Sequence, residues 1–279
     1  MTFTLTPEIP SSVRSRVGWA IRDTWVITCR DLAHWKQQPG AVIANTLVFP
    51  VMIVLMFGYL LGGAMTLPGG GDYRDFLMPG MFAMTMVFGI GATLSAVGAD
   101  AARGVTDRFR SLPMAAPAVI AGRAGADMLN SAAALAVLTG CAFAAGWHPH
   151  RGPARAIAAL GLLLLLRFAF LWIGVYLGLR FYPNPEAVTA VRTLEFPIGF
   201  LGNPFVAVST MPAWLGAIAL WNPLSSTVTA ARQLFGDPIG ADSSWITSHA
   251  IIMAVAWPLL LTAVFFPLSL HRYQRLSSG

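Results

Sequence analysis

The chain has 279 residues, 56% of them hydrophobic and 11% charged, with a formal net charge of +6. Soluble domains average about 45–50% apolar and about 25% charged residues, so a globule of this length cannot bury such an excess. The composition excludes a pair of soluble domains and points to one all-α integral membrane unit, whose backbone groups are satisfied within helices.

Residues 1–40 read as a cytoplasmic N-terminal segment. Within it, "RSRVGWAIRDTWVITCRDLAHWKQQPG" places Val17, Ile21, Trp25, Thr28, Leu32 and Trp35 at helical spacing, with Arg16, Arg22, Asp23, Arg30 and Lys36 on the remaining surface. That pattern predicts an amphipathic helix lying in the headgroup layer, where tryptophan is favoured. An amphipathic helix packed on protein has the same pattern. The segment lacks the apolar core and small-residue cleavage site of a signal peptide.

A transmembrane domain follows over 41–270, with spans at about 41–64, 76–99, 124–147, 154–179, 187–208 and 249–270, and a cytoplasmic tail at 271–279. Each span offers the roughly 20 apolar residues that a bilayer crossing needs. The sixth reads as broken by Pro258 and Pro267. With both termini on one side, that side holds Arg14, Arg16, Arg22, Arg30, Lys36, Arg103, Arg108, Arg110, Arg123, Arg180, Arg272 and Arg275. The other side holds Arg74, Arg151, Arg155 and Arg232. Lys and Arg accumulate in cytoplasmic loops, so both termini are expected there. The same asymmetry explains the basic balance better than nucleic-acid binding does.

The second span has a small-residue face of Gly89, Gly91, Ala92, Ser95 and Gly98, suited to close helix contact. Phe82, Met86 and Phe88 on it suit either a pliable apolar lining or plain packing. Charges within spans cost free energy and default to functional hypotheses. Asp127 opens the third span, Arg167 sits midway along the fourth, and Arg192 and Glu195 are three apart on the fifth. Arg192 and Glu195 can pair on one helix face. Asp127 and Glu195 suit a proton relay or a snorkelling and pairing role.

Between the last two spans, Trp214–Trp221 is an apolar run too short to cross, bounded by Pro212 and Pro223. It is expected to re-enter or lie in the outer interface. A second helical piece, Ser225–Leu234, should stop at Gly236-Asp237-Pro238.

Catalytic and metal constellations are missing from the sequence. His148-Pro149-His150 has no carboxylate or cysteine beside it in its short loop, and Cys29 and Cys141 support neither a disulfide nor a metal site. H-E-x-x-H, C-x-x-C and G-x-S-x-G do not occur. The single lysine, Lys36, lies between Trp35 and Gln37. A P-loop needs Gly-Lys followed by Ser or Thr, so any ATP-driven step needs a motor on another polypeptide.

"DAARGVTDRFRSLPMA", Asp100 to Ala115, is a charged island between apolar runs. Asp100 can cap a helix start and Gly104 permits a turn. Asp107, Arg108, Phe109, Arg110 and Leu112 then form a short two-faced helix ended by Pro113 and Pro117. Such a helix can fit a groove on a partner, and a solvated loop fixing topology is the plain alternative.

This stretch resembles the segment after the second span in permeases of type-2 ABC exporters. The matching residues are Asp100, Gly104, Asp107, Leu112, Pro113 and Gly122-Arg123, with Val105 where that family often has Thr. "RDLAHWKQQPG" with Pro50, and "STMPAWLGAIALWNPLSSTVTAARQLFG", are similar to further family signatures, with the daunorubicin-resistance branch nearest.

The resemblance implies six spans, an N-terminal interfacial helix, a cytoplasmic coupling helix between spans two and three, and outer re-entrant helices before span six. It implies a second permease, identical or homologous, and two copies of an ABC ATPase that bind ATP and Mg. No cofactor is expected on this chain, and no catalytic residue. Asp100, Gly104, Asp107, Arg108, Phe109, Arg110, Leu112 and Pro113 are the coupling candidates. Spans two and five would line a path for a hydrophobic substrate, giving Phe82, Met86, Phe88, Phe200, Asn203 and Phe205 as candidates. The expected activity is ATP-driven export of a drug, lipid or glycolipid across a bacterial plasma membrane. Its rival is a proton-coupled secondary transporter using Asp127, Glu195 and Arg167. An intramembrane enzyme ranks last.

Overall fold

The computed structural model describes residues 48, 51–52, 55–56, 72–102, 116–181, 184–240 and 244–275. The expected interfacial helix, most of the first span, Gly104 to Pro113 of the charged island and the end of the tail lie outside the described residues. Regular structure among the described residues is helical.

Among the described residues, four helices are long and apolar enough to cross a membrane: α1 (Tyr73–Ala102), α2 (Ala116–Ala144), α3 (Pro153–Phe181) and α8 (Ala250–Arg275). Between α3 and α8 come α4 (Pro185–Phe200), a 3-10 turn (Val208–Thr210), α5 (Ala213–Trp221), α6 (Pro223–Phe235) and α7 (Trp245–Ser248). Their starts follow from local chemistry. Asn184 and Asn222 each precede a proline that opens the helix, and their side chains accept from the free amides of Ala187 and Leu224 among others. Gly236 closes α6 at φ 88°, a conformation that glycine adopts without a Cβ penalty.

Two expectations about spans change. The sequence predicts the fifth at 187–208, but α4 covers 16 residues, about 24 Å against a hydrocarbon core of about 30 Å. The chain leaves the helix because α6 satisfies its backbone another way. The Asn222 Nδ2 donates to the Leu201 carbonyl at 3.3 Å, and the Asn203 N–H donates to Ser225 Oγ at 3.1 Å. The sixth is not broken, since α8 runs continuously through Pro258 and Pro267. Transmembrane helices tolerate proline where neighbours or local adjustment re-satisfy the freed backbone groups.

α3 is the central helix, packed along α1 on one side and α8 on the other, with α6 also against it. The α1–α3 contact is close because of Gly174 and Gly178, a G-x-x-x-G pair on α3. A Cβ on Gly174 would lie 2.8 Å from the Ile90 carbonyl oxygen, and one on Gly178 2.9 Å from that of Leu94. Small residues at this spacing let two backbones approach in a membrane. At the N-terminal end of α1 an apolar core forms around Phe82, Trp147 and Phe235. These rings meet edge to face, with centroids 5.0–6.2 Å apart, the arrangement that aromatic quadrupoles favour.

Candidate functional site

The buried charges form two groups, one about midway along the long helices and one near the N-terminal end of α1. In the first, Arg167 of α3 is 1% exposed. Its Nε donates to Ser131 Oγ at 2.9 Å, and its Nη2 to Thr93 Oγ1 at 2.7 Å and Asp127 Oδ2 at 2.6 Å. One guanidinium therefore holds α1 through Thr93 and α2 through Asp127 and Ser131. Thr93 Oγ1 also lies within hydrogen-bonding reach of Asp127 Oδ2 and of the Gly89 carbonyl. Gly89 makes the space: a Cβ there would meet Arg167 Cζ at 2.4 Å. Burying an ion costs several kcal/mol, roughly, unless an opposite charge and further hydrogen bonds offset it, and this site supplies both. The Nη1 of Arg167 has no hydrogen-bond partner among the described residues.

Glu195 of α4, 8% exposed, approaches α1 from another direction and accepts a hydrogen bond from the Gly91 N–H. Here too a glycine is required. A Cβ on Gly91 would lie 2.7 Å from Glu195 Oε2 and 2.8 Å from Arg192 Cγ, so the two α4 residues straddle it. Arg192 is exposed. The small-residue face read on the second span is thus divided in use: Gly89 receives Arg167, Gly91 receives Glu195, and no described residue lies within 4 Å of the Cβ position of Gly98.

At the C-terminal end of α1, Asp100 forms an ion pair with Arg123 of α2. The expectation that Asp100 caps a helix start is corrected. It lies inside the last turn of α1, which continues to Ala102, and its carboxylate faces Arg123 rather than free amides.

The second group surrounds Arg232 of α6, which is fully buried. It donates to the carbonyls of Phe76 (2.8 Å), Asn203 (3.0 Å) and Pro204 (3.0 Å), and its Cζ stands 3.5 Å over the Phe76 ring. This pins α6 and the segment after α4 onto α1. Nearby, Asp237 Oδ2 accepts from Trp147 Nε1 at 3.1 Å, while His150 Nδ1 stands 3.5 Å from Oδ1. Burial pushes the Asp237 carboxyl up to about 7, and the Asp75 charge adds to the rise, while Trp147 and His150 oppose it.

The substrate-path candidates divide. Phe82 and Met86 lie in the core, 0% and 1% exposed. Phe88, Phe200 and Phe205 come together through Phe196, which sequence reasoning did not single out. Phe88 stacks on Phe196 at 6.1 Å, Phe196 meets Phe200 at 4.5 Å, and Phe200 stacks on Phe205 at 4.4 Å. Asn203 is buried and donates through Nδ2 to Thr229 Oγ1 at 2.8 Å. Sequence reasoning also missed Thr93, Ser131, Arg232 and Asp237. Arg232 carried a signal, since it lies in a helical piece flanked by Ala230, Ala231 and Leu234.

The sequence profile of the ABC-2 type transporter family matches residues 22–235. The chain belongs to this family. It is 30% identical over 256 residues to the daunorubicin resistance ABC transporter permease protein DrrB1 of Streptomyces coeruleorubidus, covering 91% of this chain and 87% of that protein. It is 24% identical over 260 residues to the putative transport permease ycf38 of Cyanophora paradoxa, covering 88% and 83%. As an ABC-2 permease with long apolar helices, the chain is a multi-pass membrane protein and the membrane subunit of an ABC exporter. Membership implies an ABC ATPase as partner and a dimeric arrangement in general.

Proposed function

We propose that this permease moves hydrophobic or amphipathic compounds, such as a drug, lipid or glycolipid, out of a bacterial cell, driven by two copies of a separate ATPase that bind ATP and Mg. The observation that carries the reading is the α1–α2 hairpin, whose ends are tied by Asp100 and Arg123 around the charged island. That island presents a docking element for the ATPase, with Asp107, Arg108, Phe109, Arg110 and Leu112 at its centre. The missing P-loop motif gives it a purpose, because a chain that cannot hydrolyse ATP by that route needs a mechanical link to one that can.

In this reading the chain makes six crossings, with both termini cytoplasmic and α5–α6 re-entrant from outside. The fifth crossing is completed beyond α4 by the chain that follows Phe200. The second permease is identical or homologous, and cargo passes between the two along spans two and five.

The test is co-expression with a P-loop ATPase encoded beside the permease, followed by ATP-dependent uptake into inverted membrane vesicles. Daunorubicin is a suitable first probe, because DrrB1 carries that drug in its name. Co-purification with vanadate-sensitive uptake supports the proposal. Asp107→Arg combined with Phe109→Ala should abolish both while leaving the permease folded. Intact coupling in that variant overturns the docking assignment.

A further inference from the structure

The packing of α2 raises a mechanical question. α1 and α3 approach closely at Gly174 and Gly178, which sets the spacing between their backbones. The buried positions of α2 are mostly small or aliphatic: Ala124, Ala126, Ala134, Leu135, Leu138 and Ala142. Contacts of this kind are non-directional and hold the register of α2 through shape alone. The hydrogen bonds of Arg167 to Asp127 and Ser131 are directional and fixed in register. Four residues before Asp127 on α2, Arg123 makes the ion pair with Asp100 of α1.

We propose that Arg167 is a positioning residue for transport: with Thr93, Asp127 and Ser131 it fixes the register of α3 against both helices of the α1–α2 hairpin, so that displacement at the Asp100–Arg123 end is carried into α3. The inference rests on the exporter reading, since it assumes a nucleotide-driven displacement at that end. Arg167 suits the role because its fork reaches two helices at once, whereas a lysine ammonium is a point charge without that planar geometry. Gly89 suits it because only a residue without a Cβ admits the guanidinium against α1. Two rungs, Asp100–Arg123 and Thr93–Asp127–Arg167, then stop α2 from slipping, and α3 follows. Coupling between sites needs an element with defined alternative positions, and in this proposal the α1–α2–α3 unit moving as one body takes that part.

The experiment reads α3 directly and does not require a known cargo. Cys29 and Cys141 are replaced by serine, and Arg155→Cys places a reporter on the exposed first turn of α3. The permease–ATPase complex is reconstituted in nanodiscs. Labelling by a membrane-impermeant maleimide is then timed without nucleotide and with ATP plus vanadate. In the otherwise unchanged background the rate should differ at least threefold between the two states. Arg167→Met should keep the ATPase bound and hydrolysing within twofold while the labelling difference disappears, and Arg167→Lys should restore part of it. Thr93→Val leaves the ion pair but cuts its tie to α1, and should shrink the difference while hydrolysis stays within twofold and melting falls only by the amount that one buried hydrogen bond carries. This second variant serves if Arg167→Met does not fold.

A nucleotide response that survives both Arg167→Met and Thr93→Val overturns the proposal. So does the lack of any response in the parent complex while it hydrolyses ATP. A general loss of melting temperature in Thr93→Val, with hydrolysis and response falling together, reduces the cluster to a structural role and overturns it as well. Failure of the ATPase to bind the parent permease sinks the exporter reading itself, at an earlier and separate step.

Discussion

Gly174 of α3 lies so close to Ile90 of α1 that a side chain at this position would have its first carbon 2.8 Å from the Ile90 carbonyl oxygen and 3.0 Å from Thr93 Cβ. The contact is with backbone and with a β-branched residue, neither of which can swing aside. Gly174→Ala should therefore cost about 1–3 kcal/mol, as overpacking does. Gly140→Ala, where a Cβ meets no described residue within 4 Å, should be neutral or gain up to about 1 kcal/mol from helix propensity. Thermal melting of the two purified variants in one detergent checks the contrast.

Arg232 serves three carbonyl acceptors at once. Removing it leaves buried acceptors without a donor, and each hydrogen bond to a charged group is worth roughly 1.5–3 kcal/mol. Arg232→Ala should be the most destabilising single change at this end of the molecule. Arg232→Lys should recover only part of the loss, because an ammonium has no fixed fork to span Phe76 and Pro204. Fluorescence-detected size exclusion after stepwise heating ranks the two against the parent.

Glu195 acts as an acceptor toward Gly91, and glutamine retains a side-chain oxygen in the same place. Glu195→Gln should stay within about 1 kcal/mol of the parent, whereas Glu195→Ala should lose about 1–3 kcal/mol with its buried hydrogen bond to the α1 backbone. Equal losses in the two variants, measured by thermal melting, would show that the charge rather than the acceptor is what α4 needs.

The Asp237 carboxyl, pushed up to about 7 by burial, gives a signed pH dependence. Its unfolded value is about 3.9, so between about 4 and 7 the folded chain holds a proton that the unfolded chain has released. The contribution of Asp237 to stability is greatest below that window and is lost as pH rises through it. Melting curves from pH 5 to pH 8 should slope downward more steeply in the parent than in Asp237→Asn. The groups facing this carboxyl are His150, Trp147 and Asp75, with Arg232 within electrostatic reach. Differences between the two proteins therefore isolate the site better than either curve alone.

Hydropathy made α1, α2, α3 and α8 legible in the sequence, because a bilayer-length apolar run has few other uses. The short helices α5 and α6 were legible through their prolines and glycine, which fix ends locally. The end of α4 was not, since it depends on Asn222 and Ser225 reaching back over some twenty residues to take its backbone groups. The intramembrane charges announced themselves by their cost, yet their partners did not. Thr93 and Ser131 are ordinary residues in a helix and become ligands only when Arg167 arrives from α3. The glycines of α1 show the same limit: their spacing advertised close contact, but whether a helix or a single side chain fills each gap is decided in three dimensions.

The hydrogen bond from Arg232 to the Phe76 carbonyl joins residues 156 apart in the chain. Protein synthesis delivers the N-terminal end first, at about 5–20 residues per second, so α1 enters the membrane well before its pin exists. For that interval the Phe76 carbonyl has only its donor within the helix, and the Phe76 ring lacks the guanidinium that will lie over it. A chain stalled before residue 232 exposes this unfinished state to cellular quality control, and completion of α6 is the event that ends the exposure.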